Sequence, residues 1–164
     1  MVKDYGYLLR HDAAYAEKAK RIASLARDPV EVVGAEWRKI APLVAMDRGP
    51  LAVAFHPPCT LQHGLQLRGA VEEILLALGF EMTPVADAHL CCGSAGTYSI
   101  LQPELAGRLR AHKVAALQAG EPDVIASANI GCIMHLGGGC ATPVRHWIEL
   151  LDERMLGGVG VTSA

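Results

Sequence analysis

The chain has 164 residues, a length typical of a single domain, and 51% of them are hydrophobic, which excludes a disordered polypeptide. Its 15 basic and 17 acidic residues give a net charge of −2, and nucleic-acid binding requires a basic surface, so we expect no nucleic-acid partner. No apolar run in the sequence approaches the roughly 18 residues that span a bilayer, and the first residues lack the apolar core of a signal peptide. We therefore expect a cytoplasmic protein.

The first 50 residues predict a helical arm followed by a linker. An amphipathic helix is expected over residues 12–28, with Asp12 as its N-terminal cap and Pro29 after its end. A second helix is expected over residues 30–40, with Trp37 facing inward. Prolines and a glycine within residues 41–50 indicate the linker. The predicted buried face of the first helix comprises Tyr15, Ala19, Ile22 and Ala26.

From residue 51 onward, strands are predicted to alternate with helices. Residues 51–55, 80–86 and 123–127 are short apolar runs typical of buried parallel strands. Helices are expected over residues 67–78, from Pro103 to Gly120, and from Thr142–Pro143 onward. The alternation predicts an α/β fold, in which a parallel sheet has helices on both faces and follows the helical arm.

Three domains follow from this pattern: arm and linker at 1–50, a cysteine-rich α/β domain at 51–154, and a flexible glycine-rich tail at 155–164. Within the helix that opens at Pro103, two sets of side chains are assigned to opposite sides. The buried side is predicted to contain Leu105, Leu109 and Leu117, and the solvated side Arg108, Arg110 and Lys113.

The loops that follow the three predicted strands carry four of the five cysteines. Cys59 follows the first strand, Cys91 and Cys92 follow the second, and Cys132 follows the third. Ligands of open parallel sheets bind beyond the carboxyl ends of the strands, so we expect these thiols to converge at that edge. Cys140 lies in a glycine-rich segment and is expected to be a free surface thiol.

The spacing of the cysteines favours an iron–sulfur cluster over a single metal ion. C-x-x-C pairs, the usual mark of structural zinc, do not occur, and 31 residues separate Cys59 from Cys91. The adjacent Cys91 and Cys92 would form a cramped ring around one metal but can bind different irons of a cluster. Gly93 permits close backbone approach, and the loop from Ser94 to Gly96 can direct amides at cluster sulfides.

Two other functions remain open at this point. The chain can be an assembly module, zinc-binding or metal-free, that docks partner subunits. It can also be a thiol–disulfide catalyst that uses Cys91 and Cys92, although a disulfide between adjacent cysteines is strained. His56 and His89 flank the cysteine loops, where they can hydrogen-bond a cluster or simply cap those loops.

The order of Cys59, Cys91-Cys92-Gly93 and Cys132 resembles the cysteine-rich CCG domain found in heterodisulfide reductase and related subunits. A narrower resemblance, to the C-terminal part of the iron–sulfur subunit of glycolate oxidase (glycolate dehydrogenase), covers essentially the whole chain. The strings that carry it are HPPCTLQH at 56–63, HLCCGSAGTYSILQP at 89–103 and PVRHWIELL at 143–151.

This resemblance implies an electron-transfer subunit that is not catalytic alone. Cys59, Cys91, Cys92 and Cys132 match the ligands of one cluster, of the 4Fe-4S type. Flavin-containing partner subunits would oxidise glycolate to glyoxylate, and electrons would pass through the cluster towards a quinone-type acceptor. The complex would associate peripherally with the cytoplasmic membrane.

Two departures from the family pattern matter. Family repeats often close with C-x-x-C, but here His135 stands three residues after Cys132, which makes its imidazole a further candidate ligand. The ferredoxin-like motifs and the first cysteine-rich repeat that precede this region in such subunits are missing. The resemblance thus implies a C-terminal fragment, with Met1 as an internal methionine or an artificial start.

Overall fold

The computed structural model describes residues 2–45 and 49–155, and the chain divides after Ile40 into two compact units. The first unit is helical. A 3-10 turn at Val2–Asp4 leads into α1 (Tyr5–Leu8), followed by α2 (Ala16–Leu25) and α3 (Pro29–Ile40).

Helix α2 is shorter than predicted, and its predicted buried face is wrong. The Asp12 carboxylate accepts hydrogen bonds from the Ala14 and Tyr15 amides at 2.8 and 2.9 Å, so it caps a turn that precedes the helix. Ala19 is buried, whereas Tyr15 and Ile22 are exposed. Small side chains form the contact because α1 packs closely on α2: a Cβ at Gly6 would lie only 3.3 Å from the Lys20 Cα.

The second unit contains the predicted parallel sheet. Its strands are β1 (Ala52–His56), β2 (Glu81–Met82), β3 (Val124–Ser127) and β4 (Val144–His146), in the spatial order β2-β1-β3-β4. Every pair of neighbours is parallel. The two central strands, β1 and β3, are almost entirely buried, which explains their continuous apolar sequences.

Helices cover both faces of this sheet. They are α4 (Ala70–Ala77), α5 (Tyr98–Leu101), α6 (Pro103–Gln118), α7 (Ile130–Gly137) and α8 (Trp147–Arg154). Helix α4 contacts α8, and α6 contacts α7. The chain moves across the sheet in one direction from β1 to β2 and in the opposite direction from β2 to β3 and β4. Because crossovers between parallel strands are right-handed, this change puts the two helix pairs on opposite faces. The predicted α/β fold is confirmed.

Several local expectations differ from the structure. The second strand has only two residues, since Pro84 lacks the amide hydrogen that a longer ladder needs. The predicted last helix begins as β4, and α8 starts at Trp147, where His146 Nδ1 accepts a hydrogen bond from the Ile148 amide at 3.2 Å. As an edge strand of only three residues, β4 is too short to show an alternation of apolar and polar residues in the sequence.

The predicted buried side of α6 is confirmed for Leu117 but wrong for the two other leucines. Leu105 and Leu109 are exposed, while Lys113 is 1% exposed and lies with Ala106, Val114 and Leu117 on the side that faces the sheet. The helix α7, which holds Cys132, takes the place of an expected loop; its two glycines weaken the helical signal.

The second unit begins with a 3-10 turn at Ala41–Leu43, and Val44 pairs antiparallel with Met155. Residues 46–48 of the predicted linker and 156–164 of the predicted tail lie outside the described residues. None of the helices described is long and apolar enough to cross a membrane.

Arg154 joins the end of α8 to the start of β1. Its buried guanidinium donates to the Gly49 carbonyl at 2.8 Å and lies 4.4 Å from the centre of the Phe80 ring. The Arg154 carbonyl accepts a hydrogen bond from the Ala45 amide at 2.6 Å.

We expect Arg154→Met to lower the free energy of unfolding by about 2 kcal/mol, because it removes a charged hydrogen bond and a cation–π contact from a buried position. Urea unfolding of the metal-free chain measures this. The matched control is Arg145→Met, whose ion pairs with Glu149 and Glu153 are partly exposed and should contribute less than about 1 kcal/mol. Equal losses in the two variants would contradict this account.

Candidate metal centre

Four cysteines line one cavity of about 440 Å³ beyond the carboxyl ends of the strands. These are Cys59, Cys91, Cys92 and Cys132, and the cavity wall also contains Ser94, Gly96 and Asn129. The convergence predicted from the order of strands and loops is therefore confirmed. Loops from three strands reach the cavity because parallel strands end at the same edge.

Cys59 is placed by the rigid segment that follows β1. Two prolines precede it, and a π-helical turn over Thr60–Gly64 follows it. The Gln62 side chain donates a hydrogen bond to the Pro57 carbonyl at 2.6 Å, which closes the turn. The Cys59 residue is exposed, so it lies at the mouth of the cavity.

The Cys91–Cys92 loop packs directly against α6 at Gly93. The φ of this glycine, +93°, is in the left-handed region, and a Cβ there would lie 2.6 Å from the Ala106 carbonyl oxygen. The Gly93 amide donates a hydrogen bond to the Cys91 sulfur at 3.3 Å. A larger residue would push the loop off the helix, so the glycine of the C-C-G tripeptide is required by both space and conformation.

Cys132 lies in the first turn of α7. The Asn129 side chain caps this helix by accepting a hydrogen bond from the Cys132 amide at 3.1 Å. A Cβ at Gly131 would lie 3.0 Å from the Ser94 hydroxyl, so this glycine lets the helix approach the Cys91–Cys92 loop. Negative charge on a thiolate is stabilised in the first turn of a helix.

The thiols of Cys92 and Cys132 form a coupled pair. Hydrogen bonding from Cys132 lowers the pKa of the Cys92 thiol against the opposing effect of burial, and His56 and the Ser94 amide lower it further. The same interaction, together with burial, raises the pKa of Cys132. The interaction therefore opposes the deprotonation of both thiols together, and a bound metal ion would remove that opposition.

Burial raises the pKa of Cys91, and the neighbouring Cys92 and Cys59 raise it further. Every thiolate formed in this cavity thus makes the next one harder to form. A bound cation would remove this penalty, because its positive charge favours the deprotonated form of each ligand. The donor set of four thiols fits an iron–sulfur cluster in its chemistry.

Lys113 provides a buried positive charge near the thiols. Its ammonium donates to the Asp87 and Ala88 carbonyls at 2.6 and 3.3 Å and so holds the segment that leads to the cysteine pair. Burial lowers the pKa of Lys113, while Asp87 and the thiols of the cavity raise it. Sequence reasoning placed this residue in solvent, but its spacing of seven from Ala106 and four from Leu117 puts it on the buried side.

His56, the last residue of β1, also reaches this centre. One of its ring nitrogens and the sulfurs of Cys92 and Cys132 all lie within 4.8 Å of one another. The Nδ1 atom is buried and has no hydrogen-bond partner. Sequence reasoning placed His56 only at the flank of a cysteine loop; the signal that marked it was its position at the carboxyl end of a buried strand.

His135 and Cys140, which the sequence analysis also considered, do not line the cavity of the four thiols. His135 Nε2 is 3.3 Å from the Ala106 carbonyl oxygen and contacts the Gly93 position from the side of α6, and His135 is not among the cavity-lining residues. Cys140 is half-buried and packs against the core, and its thiol donates to the Thr142 carbonyl at 3.3 Å. Cys140 is a free thiol, as expected, but it is half-buried and not fully at the surface.

The fold and this site define a class of protein: an α/β domain that gathers cysteines from successive loops at one edge of a parallel sheet. Residues 53–137 match the cysteine-rich domain family known as CCG, and the chain belongs to that family. The resemblance deduced from the cysteine order is confirmed.

Similar proteins include an iron-sulfur subunit and two lactate utilization proteins. The chain is 50% identical to the glycolate oxidase iron-sulfur subunit of Escherichia coli K12, over 94% of this chain and 37% of that protein. It is 30% identical to lactate utilization protein A of Bacillus licheniformis, and 28% identical to that of Geobacillus thermodenitrificans, in each case over 94% of this chain and 66% of the relative. The chain thus spans only part of the length of these relatives.

We expect Gly93→Ala to destabilise the metal-free chain by about 2 kcal/mol or more, because an alanine there combines a left-handed backbone with a clash against α6. Gly96→Ala is the matched control: its φ is +61°, but no atom lies within 4 Å of the added Cβ. It should cost only the conformational part, about 1 kcal/mol. Thermal unfolding of both variants separates the cost of the left-handed backbone from the cost of the clash. A control as unstable as Gly93→Ala would contradict the close packing of residue 93 against α6.

Proposed function

We propose that the cysteine-rich domain, residues 51–154, holds an iron–sulfur cluster of the 4Fe-4S type and serves in electron transfer. The observation that carries this proposal is the single cavity lined by all four thiols, Cys59, Cys91, Cys92 and Cys132. The proposed ligands are these four cysteines. The similarity to an iron-sulfur subunit supports the same function.

The residues around the cavity are suited to hold such a group. Gly93, Ser94 and Gly96 belong to the loop that we propose to surround the cluster with backbone amides, and the Ser94 amide already interacts with the Cys92 sulfur. When bound, the cluster supplies a site that accepts and releases single electrons. The chain's own contribution is to exclude water on the α6 side, to orient the thiols and to place Lys113 near their charge.

We further propose that the chain works as the C-terminal part of an iron–sulfur subunit in glycolate catabolism. Flavin-containing subunits would oxidise glycolate, and this domain would receive their electrons through N-terminal ferredoxin-like and first cysteine-rich regions. A quinone-type acceptor would receive the electrons. The 50% identity to the E. coli subunit supports this assignment, as does the absence from the described cavity of any paired carboxylate. The complex is proposed to be cytoplasmic, at the inner face of the membrane.

One observation favours a second candidate, a zinc-binding module that docks the flavin subunits. The group of His56, Cys92 and Cys132 has the mixed nitrogen and sulfur donors that zinc accepts. Metal analysis distinguishes the two candidates directly, because zinc brings no acid-labile sulfide.

The decisive experiment is anaerobic reconstitution of the chain, followed by iron and sulfide analysis and visible spectroscopy. We expect about four irons and four sulfides per chain, the stoichiometry of a 4Fe-4S cluster. Cys91→Ser and Cys92→Ser should each lose most of the bound iron, whereas Cys140→Ser, the matched control outside the cavity, should retain it. Iron near zero in the unmodified chain, or stoichiometric zinc without sulfide, would refute the cluster.

Alkylation mapping gives an independent prediction. In the metal-free chain the exposed Cys59 should react with iodoacetamide at least about tenfold faster than the buried Cys132. Loading with iron and sulfide should protect all four cavity thiols and leave the rate at Cys140 unchanged. Mass spectrometry of peptides measures each rate, and protection of Cys140 together with the other four would show global tightening instead of ligation.

A further inference from the structure

We propose that His56 is a nitrogen ligand of the metal centre, beside the sulfurs of Cys92 and Cys132. This inference rests on the proposed metal centre and adds an imidazole to its four thiols. It assigns to a strand residue a role that the cysteine pattern alone does not contain.

The geometry brings three donor atoms together. A ring nitrogen of His56 and the two sulfurs lie within 4.8 Å of one another, and all three residues are buried. Donor atoms around one tetrahedral metal ion, at bond lengths of about 2.0–2.3 Å, lie about 3.3–3.8 Å apart, and donors around a cluster lie further apart. The separation of the three atoms is therefore in the range that a metal centre requires.

The burial of His56 makes an unliganded ring costly. The residue is 2% exposed, and its ring interacts with the Cys92 thiol. Its Nδ1 has no hydrogen-bond partner, although buried polar atoms almost always have one. A metal bond from one nitrogen is a common reason for a buried imidazole beside thiols. His135 offers a contrast, because its Nε2 already lies 3.3 Å from the Ala106 carbonyl oxygen.

The backbone at His56 is held firmly. The residue pairs with Ser127 in the parallel ladder between β1 and β3. The Ser127 hydroxyl donates a hydrogen bond to the His56 carbonyl at 2.9 Å, and both residues are buried. The imidazole is therefore presented by the centre of the sheet, whereas the cysteines are presented by loops and a helix start.

Ligation by imidazole has a redox consequence. Imidazole is a neutral donor and brings no negative charge to the centre, and imidazole ligation raises the reduction potential of iron–sulfur centres. We therefore expect His56→Cys to lower the potential of the bound centre, and His135→Cys, the control, to leave it unchanged.

The test is X-ray absorption at the metal edge of the anaerobically loaded chain, whether it holds iron or zinc. The imidazole ring gives outer-shell scattering that thiolates lack, and we expect it in the unmodified chain and in His135→Leu but not in His56→Leu. His56→Leu gives up the interaction between its ring and the Cys92 thiol, so we expect its metal-free unfolding midpoint to fall slightly while the chain stays folded under the conditions of the measurement. That measurement excludes misfolding as the cause of a lost signal.

The outcomes separate this inference from the proposed function. Iron–iron scattering without an imidazole signal would confirm a cluster and overturn the role of His56. An imidazole signal around zinc would overturn the cluster and support His56 as a ligand. An imidazole signal that persists in His56→Leu but disappears in His135→Leu would overturn the assignment to His56, and a chain that binds no metal would overturn both proposals.

Discussion

Four thiols in one cavity cannot all release their protons unless positive charge balances them. The structure around the cavity supplies part of that balance: the first turn of α7 beneath Cys132, the Ser94 amide at Cys92, and the buried ammonium of Lys113. The remainder must come from a bound cation. This constraint explains why a lysine occupies the buried side of α6, where an apolar residue would pack as well but leave the thiols uncompensated.

The parallel sheet determines which residues share the site. Since all strands end at one edge, segments distant in the chain meet there without a long connection, and each contributes a different kind of support. The loop after β1 is stiffened by prolines and by Gln62, the loop after β2 is seated on α6 through Gly93, and β3 leads into a capped helix. Precision at the cavity therefore comes from several independent anchors.

The sequence predicts the α/β class and the convergence of the cysteines because both follow from the order of apolar runs and loops. It predicts individual faces less well. Leu105 and Leu109 have the same helical spacing as true core residues, and only the tertiary neighbours show that Lys113 faces the sheet. A short strand such as β4 and a helix with two glycines such as α7 have too weak a sequence pattern to be predicted from propensity and periodicity. The position of His56 beside Cys92 and Cys132 depends on strand register, which no local pattern encodes.

The cysteines of the cavity differ in burial, so one side of the proposed centre is closer to solvent than the other. Cys92 and Cys132 lie inside, whereas Cys59 opens to solvent at the end of the turn after β1. Of the four thiols, the Cys59 sulfur is therefore the one that lies nearest to solvent. A redox partner that docks over the turn after β1 would approach the proposed centre at this sulfur, so the shape of the surface around Cys59 would control how close the two centres come.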